Sequence, residues 1–373
     1  MKNIPATKPT FDKQDINHIS KEFKKILEGK SFLSQGKFAE QFEEEFSEFI
    51  GTKYAVSCNS GTSALELIFR GLEIKNKEVI LPSNTFIATA NAIINAGGIP
   101  VFADCNKDMC LDYEKTIKLV SKKTIAICHV HIGGLISESA IKLANFCKKN
   151  NLFFVEDAAQ AHGSSFGKIK AGNIGYAAGF SFFSTKVMTT GEGGIVTTNN
   201  RNLSLKMKSI REFGKEKKGI YTNYHTSMGY NWRMPEVSAL MGISQLKSIN
   251  KFISKRNKIA EIYRSTLKEI EGIRIIEPSS KSKFNYFKFT IILENQNRTY
   301  VHNSLSKRGI NLSGYVYELP LHKQPVFKKF NDVSFPETEF LCSQHICLPI
   351  YPNLSLSDAR FIAKSLIDVL RIT

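Results

Sequence analysis

Lys186 ends an apolar stretch, Phe180-Ser181-Phe182-Phe183-Ser184-Thr185-Lys186, and a hydroxyl- and glycine-rich run, Thr189-Thr190-Gly191-Glu192-Gly193-Gly194, follows it. Upstream, a second apolar stretch, Leu152-Phe153-Phe154-Val155, ends in Glu156-Asp157. An amine and a carboxylate presented from neighbouring strand ends are what pyridoxal phosphate chemistry requires. The amine forms a Schiff base, and the carboxylate keeps a pyridine nitrogen protonated so that the ring accepts electrons. In Glu156-Asp157-Ala158-Ala159-Gln160-Ala161-His162-Gly163 the small residues would let a flat ring approach, and Gln160 could bond its ring oxygen. Glu156 reads as a surface charge and His162 as a satisfied polar side chain.

The elements that must position this pair alternate. Strands are expected at Ala55–Cys58, Val79–Leu81, Ile99–Phe102, Thr124–Val130, Leu152–Glu156, Ala178–Phe183 and Gly194–Thr198. Amphipathic helices are expected between them at Ser63–Leu72, Phe86–Ala96, Leu111–Val120 and Glu138–Lys149, after two helices near Asp15–Leu27 and Phe38–Phe49. That order predicts an α/β fold with a mostly parallel sheet between helices, and ligands in such sheets gather at the carboxyl ends of the strands. At one such end, Ser60-Gly61-Thr62-Ser63 opens a helix, where free N–H groups and hydroxyls can cradle phosphate. An N-cap would use the same residues. At another, Phe86 could stack on a planar ring. From Pro235 a helical pattern runs to about Ile270 with a break near Ile249-Asn250, and the pattern then changes to a strand at Phe287–Leu293 and helices at Tyr300–Arg308 and Ser355–Leu370. These shifts predict a large domain over residues 1–250 and a smaller α+β domain over 251–373.

Taken in order, Ser60-Gly61-Thr62-Ser63-Ala64-Leu65, Glu156 to Gly163, Phe180 to Lys186 with Gly191-Glu192-Gly193-Gly194, and Gly229-Tyr230-Asn231-Trp232-Arg233-Met234 resemble the DegT/DnrJ/EryC1/StrS family. The resemblance runs from about residue 10 to the end. It implies the fold type I architecture of aspartate aminotransferase, pyridoxal 5′-phosphate as cofactor and sugar amination, with a part in surface polysaccharide synthesis. Lys186 then looks like the Schiff-base lysine and proton carrier, Asp157 the pyridine-nitrogen partner, Gln160 the ring-hydroxyl partner and Phe86 the stacking ring. Gly61, Thr62, Ser63 and Ser181 look like phosphate ligands. Asn231 resembles a phosphate ligand from a second subunit, which implies a homodimer, and His322 matches a loop near the substrate. Two segments depart from the usual pattern: Ile132-Gly133-Gly134-Leu135 after Val130-His131, and Gly175-Tyr176-Ala177-Ala178-Gly179 where a glycine-aspartate is usual. The expected reaction takes an amine from glutamate to a nucleotide-linked keto-deoxy sugar, or to a small phosphorylated ketone. A dehydratase branch carries histidine in place of the lysine, and Lys186 argues against it. A regulatory protein that has kept the fold is the non-enzyme alternative.

Bulk properties exclude other classes. Apolar residues make up 42% and charged residues 23% of the 373, as in ordinary soluble proteins. No run reaches the ~18 apolar residues of a membrane span, and Met1-Lys2-Asn3-Ile4-Pro5 lacks a secretory core. Seven scattered cysteines suit a reducing cytoplasm without a disulfide framework. Cys342-Ser343-Gln344-His345-Ile346-Cys347 has no second ligand pair, so no metal is expected. The net charge of +17 sits in mixed stretches such as Lys21-Glu22-Phe23-Lys24-Lys25 without a nucleic-acid-binding motif. It would instead draw in an anionic small substrate.

Overall fold

The computed structural model describes residues 3–330 and 332–371. Seven strands form its central sheet: β1 (Tyr54–Cys58), β2 (Glu78–Pro82), β3 (Ile99–Ala103), β4 (Thr124–Val130), β5 (Phe153–Asp157), β6 (Ala177–Ser181) and β7 (Gly194–Thr198). Their order is β1-β7-β6-β5-β4-β2-β3. β6, β5, β4, β2 and β3 run parallel, while β7 runs antiparallel to both of its neighbours, β1 and β6. The sheet is therefore mixed but mostly parallel, and its inner strands are buried on both faces, which is why they read as unbroken apolar runs.

Helices α1 (Lys13–Leu27) and α2 (Lys37–Ile50) precede the sheet. Between its strands come α3 (Gly61–Gly71), α4 (Ile87–Asn95), α5 (Tyr113–Ile117) and α6 (Glu138–Lys149), and after it come α7 (Arg201–Arg211) and α8 (Glu236–Leu267). α5 is shorter than the pattern over Leu111–Val120 predicts. Asp112 caps its start by accepting from the Lys115 N–H at 2.8 Å, and turn bonds from Leu119 and Val120 end it. The expected break at Ile249-Asn250 does not occur. Ile249 is buried in the core and Asn250 faces solvent, where its polar side chain competes with no helical bond.

One sheet face packs α3, α4 and α7 through a cluster including Leu67, Ile68, Phe69 and Ile93, and the other packs α2, α6 and α8. There Phe42 and Phe46 of α2 meet Phe180 and Phe182 at 5.1–5.6 Å between ring centres, which anchors the segment leading to Lys186. The carboxylate of Glu236 accepts from the N–H groups of Gly36, Phe38 and Ala39 at the start of α2, a favourable place for buried negative charge.

A second core surrounds the antiparallel strands β8 (Ile273–Ile275), β9 (Phe289–Leu293) and β10 (His345–Leu348), with α9 (Arg298–Lys307), α10 (Pro336–Gln344) and α11 (Leu356–Leu370). Position 250 lies inside α8. The first half of that helix buries Ala239, Leu240, Ile243 and Ile249 with the central sheet, and its second half buries Ile259, Tyr263 and Leu267 with the C-terminal core. At the amino terminus, Ile4 bridges Ile310 of the C-terminal core.

Candidate active site

β1, β5 and β6 all end at one cavity of about 650 Å³, and the segments that leave them supply its floor. Asp157 is the last residue of β5 and is buried. Its Oδ2 accepts from the Thr89 hydroxyl at 2.7 Å and its Oδ1 from the Ala159 N–H at 3.1 Å. Burial raises its pKa against those two bonds and the nearby Lys186. A cationic nitrogen placed against this carboxylate would relieve its desolvation.

Lys186 lies beyond β6, in the turn that the Phe183–Gly191 bridge closes. Its amine packs 4.8 Å from the centre of the Phe287 ring. Burial lowers its pKa to about 8; Asp157 opposes that shift and Lys288 adds to it. A minor but appreciable fraction of the lysine, on the order of a tenth to a fifth, is therefore neutral near physiological pH and able to attack a carbonyl.

The phosphate-cradle and cap readings of the Ser60–Ser63 turn both apply, to different residues. Ser60 caps α3 by accepting from the Ser63 N–H at 3.1 Å. The amides of Gly61 and Thr62 come first in the helix and so have no intrahelical acceptor. A Cβ on Gly61 would stand 2.5 Å from the Ser181 Cβ, so only glycine lets the helix start touch the end of β6. Likewise a Cβ on Gly194 would meet the Ser60 carbonyl oxygen at 2.1 Å. Together Ser60, Gly61, Thr62 and Ser181 form one edge of the cavity. Ser63 departs from expectation: its hydroxyl donates to Asn59 Oδ1 at 2.7 Å and it does not line the cavity, because its place in the first turn points it back at the cap.

Phe86, the N-cap of α4, remains 56% exposed and presents its ring to the cavity, 5.8 Å from the Tyr317 ring. Gln160 is held from both sides: its Oε1 accepts from the Gly133 N–H at 2.7 Å, and its Nε2 donates to the Tyr317 hydroxyl at 3.1 Å. The unusual Gly133-Gly134 segment thus orients Gln160. A Cβ on Gly134 would sit 2.0 Å from the Asn285 Oδ1, which leaves no room for a side chain there.

Several expectations need correction. His322 does not reach the cavity. It is buried, with Nδ1 2.7 Å from the Ser83 hydroxyl and Nε2 3.0 Å from Glu339, because α10 and the end of β2 close over it. Glu156 is no surface charge. It is fully buried, 2.9 Å from His131 Nε2, and accepts from the N–H groups of Gly172, Ile174 and Gly175. His162 is buried against Phe180 and Phe182, and neither ring nitrogen has a partner in hydrogen-bonding geometry. Burial, with the Lys186 charge, pushes its pKa down to about 3. Asn231, expected to serve a second subunit, is not among these corrections: it is exposed, pairs through its backbone with Glu212 and lies outside the cavity of its own chain.

Sequence reasoning missed Thr89, Tyr317, Phe287 and Lys288. Thr89 stands one helical turn after Phe86, so its spacing was a usable signal. The other three come from the C-terminal third of the chain and carry no local motif.

An amine with a lowered pKa, a buried carboxylate, an open aromatic ring and free helix-start amides around one cavity suit a phosphorylated pyridine aldehyde. The DegT/DnrJ/EryC1/StrS aminotransferase family model matches residues 13–367. The chain belongs to that family. It is a pyridoxal 5′-phosphate-dependent aminotransferase. Among its relatives, the UDP-4-amino-4,6-dideoxy-N-acetyl-beta-L-altrosamine transaminase of Helicobacter pylori is 33% identical, with 98% of each chain covered. The GDP-perosamine synthase of Escherichia coli O157:H7 is 32% identical, again with 98% of each covered. Among solved structures, Helicobacter pylori PseC, an aminotransferase involved in the biosynthesis of pseudoaminic acid, aligns over 100% of both chains at 31% identity and a TM-score of 0.93. The fold type I architecture is thereby shown.

Proposed function

We propose that this aminotransferase moves the amino group of L-glutamate to the keto group of a nucleotide-linked deoxy sugar. The observation that carries the reaction is the Lys186 amine and the buried Asp157 carboxylate facing one cavity at adjacent strand ends. The names of the relatives, one a UDP-sugar transaminase and one a GDP-sugar synthase, support a nucleotide-linked acceptor. A net charge of +17 favours the approach of its diphosphate.

The bound cofactor supplies the electron sink that makes the amine-bearing carbon of the substrate acidic. Lys186 Nζ takes the proton from that carbon and redelivers it, and its lowered pKa brings the neutral, basic amine closer to neutral pH than an ordinary lysine would. Asp157 holds the ring nitrogen in its protonated form, and Thr89 and Ala159 fix the carboxylate for that task. Gln160 would face the ring oxygen and Phe86 would lie over the ring. The amides of Gly61 and Thr62, with Ser181, would hold the phosphate, joined by Asn231 from the second subunit of a homodimer. The exposure of Asn231 supports that crossing role. We place the division between large and small units inside α8, where its burial passes from one core to the other. Seven buried free thiols favour a reducing cytoplasm.

The test is a screen of UDP-, GDP- and dTDP-linked keto-deoxy sugars with L-glutamate as donor, reading 2-oxoglutarate. One acceptor class should be turned over; turnover of small keto-phosphates alone would overturn the nucleotide-sugar reading.

A further inference from the structure

Two cationic side chains line the cavity among the described residues, Lys186 and Lys288. The first is committed to the cofactor. The second stands just before β9, half-buried, with its amine donating to the Ser313 hydroxyl and lying 5.2 Å from the centre of the Phe287 ring. Lys186 packs on the same ring, at 4.8 Å. The carboxylates of the cavity, Asp157 and Glu192, form no ion pair with Lys288, and no other described carboxylate does. A desolvated ammonium with one neutral hydrogen-bond partner is costly to keep, and burial accordingly lowers its pKa. Such a group gains most from a bound anion.

We propose that Lys288 is the anchor for the α-carboxylate of the amino donor. Both substrates of the reaction carry anions, but at different distances from the reacting carbon. The donor carboxylate is bonded to that carbon, whereas a sugar ring stands between the acceptor's diphosphate and its keto carbon. Both amines pack against the Phe287 ring and the charge of Lys288 is felt at Lys186, so Lys288 stands close enough to the reacting carbon to meet an anion bonded to it. Phe287 thus spaces the nucleophile from the anchor, and Ser313 holds the anchor in place. The inference rests on the aminotransferase reading and adds to it a residue that selects amino acids over plain amines.

The experiment compares wild-type, Lys288→Met and Lys288→Arg holoenzymes through the visible cofactor band. In Lys288→Met the apparent dissociation constant for L-glutamate should rise about 10- to 100-fold, the range for losing a hydrogen bond to a charged group. The limiting rate should change far less, and Lys288→Arg should recover most of the affinity. Methylamine, which has no carboxylate, should still shift the band in all three with an apparent constant moved far less than that for L-glutamate, which also reports an intact cofactor site. Calorimetric binding of UDP and GDP should be unchanged. An unmoved glutamate constant overturns the proposal. So does weakened UDP or GDP binding with glutamate unaffected, which would assign the lysine to the acceptor. A wild-type band that responds to no amino acid would sink the aminotransferase reading itself, independently of Lys288.

Discussion

The two walls of the cavity are built differently. The sheet-side wall is mostly backbone and short side chains: the amides of Gly61 and Thr62, Ser181 and Asp157 at strand ends, each within a few residues of a buried strand. The facing wall consists of large side chains, Phe287, Lys288, Tyr315 and Tyr317, on loops of the C-terminal part of the chain. The first is rigid because seven strands and the Phe42–Phe46–Phe180–Phe182 cluster fix it. The second is positioned by single side-chain bonds such as Gln160 to Tyr317 and Lys288 to Ser313. A common chemistry needs the rigid wall, and a particular substrate needs the other. Substitutions on the sheet side should therefore abolish reaction, whereas those opposite should retune it.

The largest effect is expected at Lys186. Lys186→Ala should lower turnover by on the order of 10⁴-fold or more, since nucleophile and proton carrier are lost together. Borohydride should fix the cofactor's mass on the wild-type peptide containing Lys186 and on no peptide of the variant. Because burial holds the Lys186 pKa at about 8, its amine is protonated below that pH and free above it. The rate at which cofactor-stripped protein takes up the cofactor should thus climb about tenfold per pH unit up to roughly pH 8 and then level. A flat profile from pH 6 to 9 would break the link between burial and reactivity.

Asp157→Ala should come next, with turnover down about 10³-fold, the scale for removing a fixed electrostatic partner of a developing charge. Cofactor should still bind covalently, because Lys186 and the Gly61–Thr62 amides remain. Retention of full turnover would show that the ring nitrogen needs no carboxylate, and the division between the walls would then fail at its centre.

The rigid wall was also the legible one. Asp157, Lys186 and Gly61 each sit where an apolar run stops, and chain order alone brings β5 and β6 side by side as parallel neighbours. Glu156 shows the limit of that legibility. It occupies a strand end like Asp157 but points to the opposite side, into a pocket of backbone N–H groups formed by Gly172, Ile174 and Gly175. The period-two alternation of a strand separates the two carboxylates, yet nothing local says which face bears the cavity. His322 failed for a related reason: its neighbourhood is set by Ser83 and Glu339, 239 and 17 residues away. Tyr317 and Lys288 were invisible because their partners, Gln160 and Ser313, are distant in sequence.

Asn231 tests whether the rigid wall is complete within one chain. Asn231→Ala should weaken cofactor binding by about 10-fold, as loss of a bond to charged phosphate does. In mixtures of inactive Lys186→Ala subunits with Asn231→Ala subunits, measured at limiting cofactor, mixed dimers would regain one intact site of two. Random pairing makes about half the dimers mixed, so activity should return to about a quarter of the wild-type level. If no activity returns, Asn231 acts within its own chain or outside the site.

Tyr317→Phe probes the weaker wall and should have the smallest effect. The hydroxyl accepts from Gln160 Nε2, whose Oε1 is already fixed by the Gly133 N–H, so removing it frees one amide hydrogen without releasing the glutamine. The phenyl ring that faces Phe86 remains. Loss of one neutral hydrogen bond corresponds to about 1 kcal/mol, or roughly 5-fold. It should appear in turnover and in a small displacement of the visible cofactor band, with thermal stability nearly unchanged. A far larger loss, of the order seen for Asp157→Ala, would mean that Tyr317 belongs to the chemical wall despite its place on a loop, because its proton would then be part of the reaction rather than of the packing. That outcome would move the boundary between the walls from the sheet to the Gln160–Tyr317 bond.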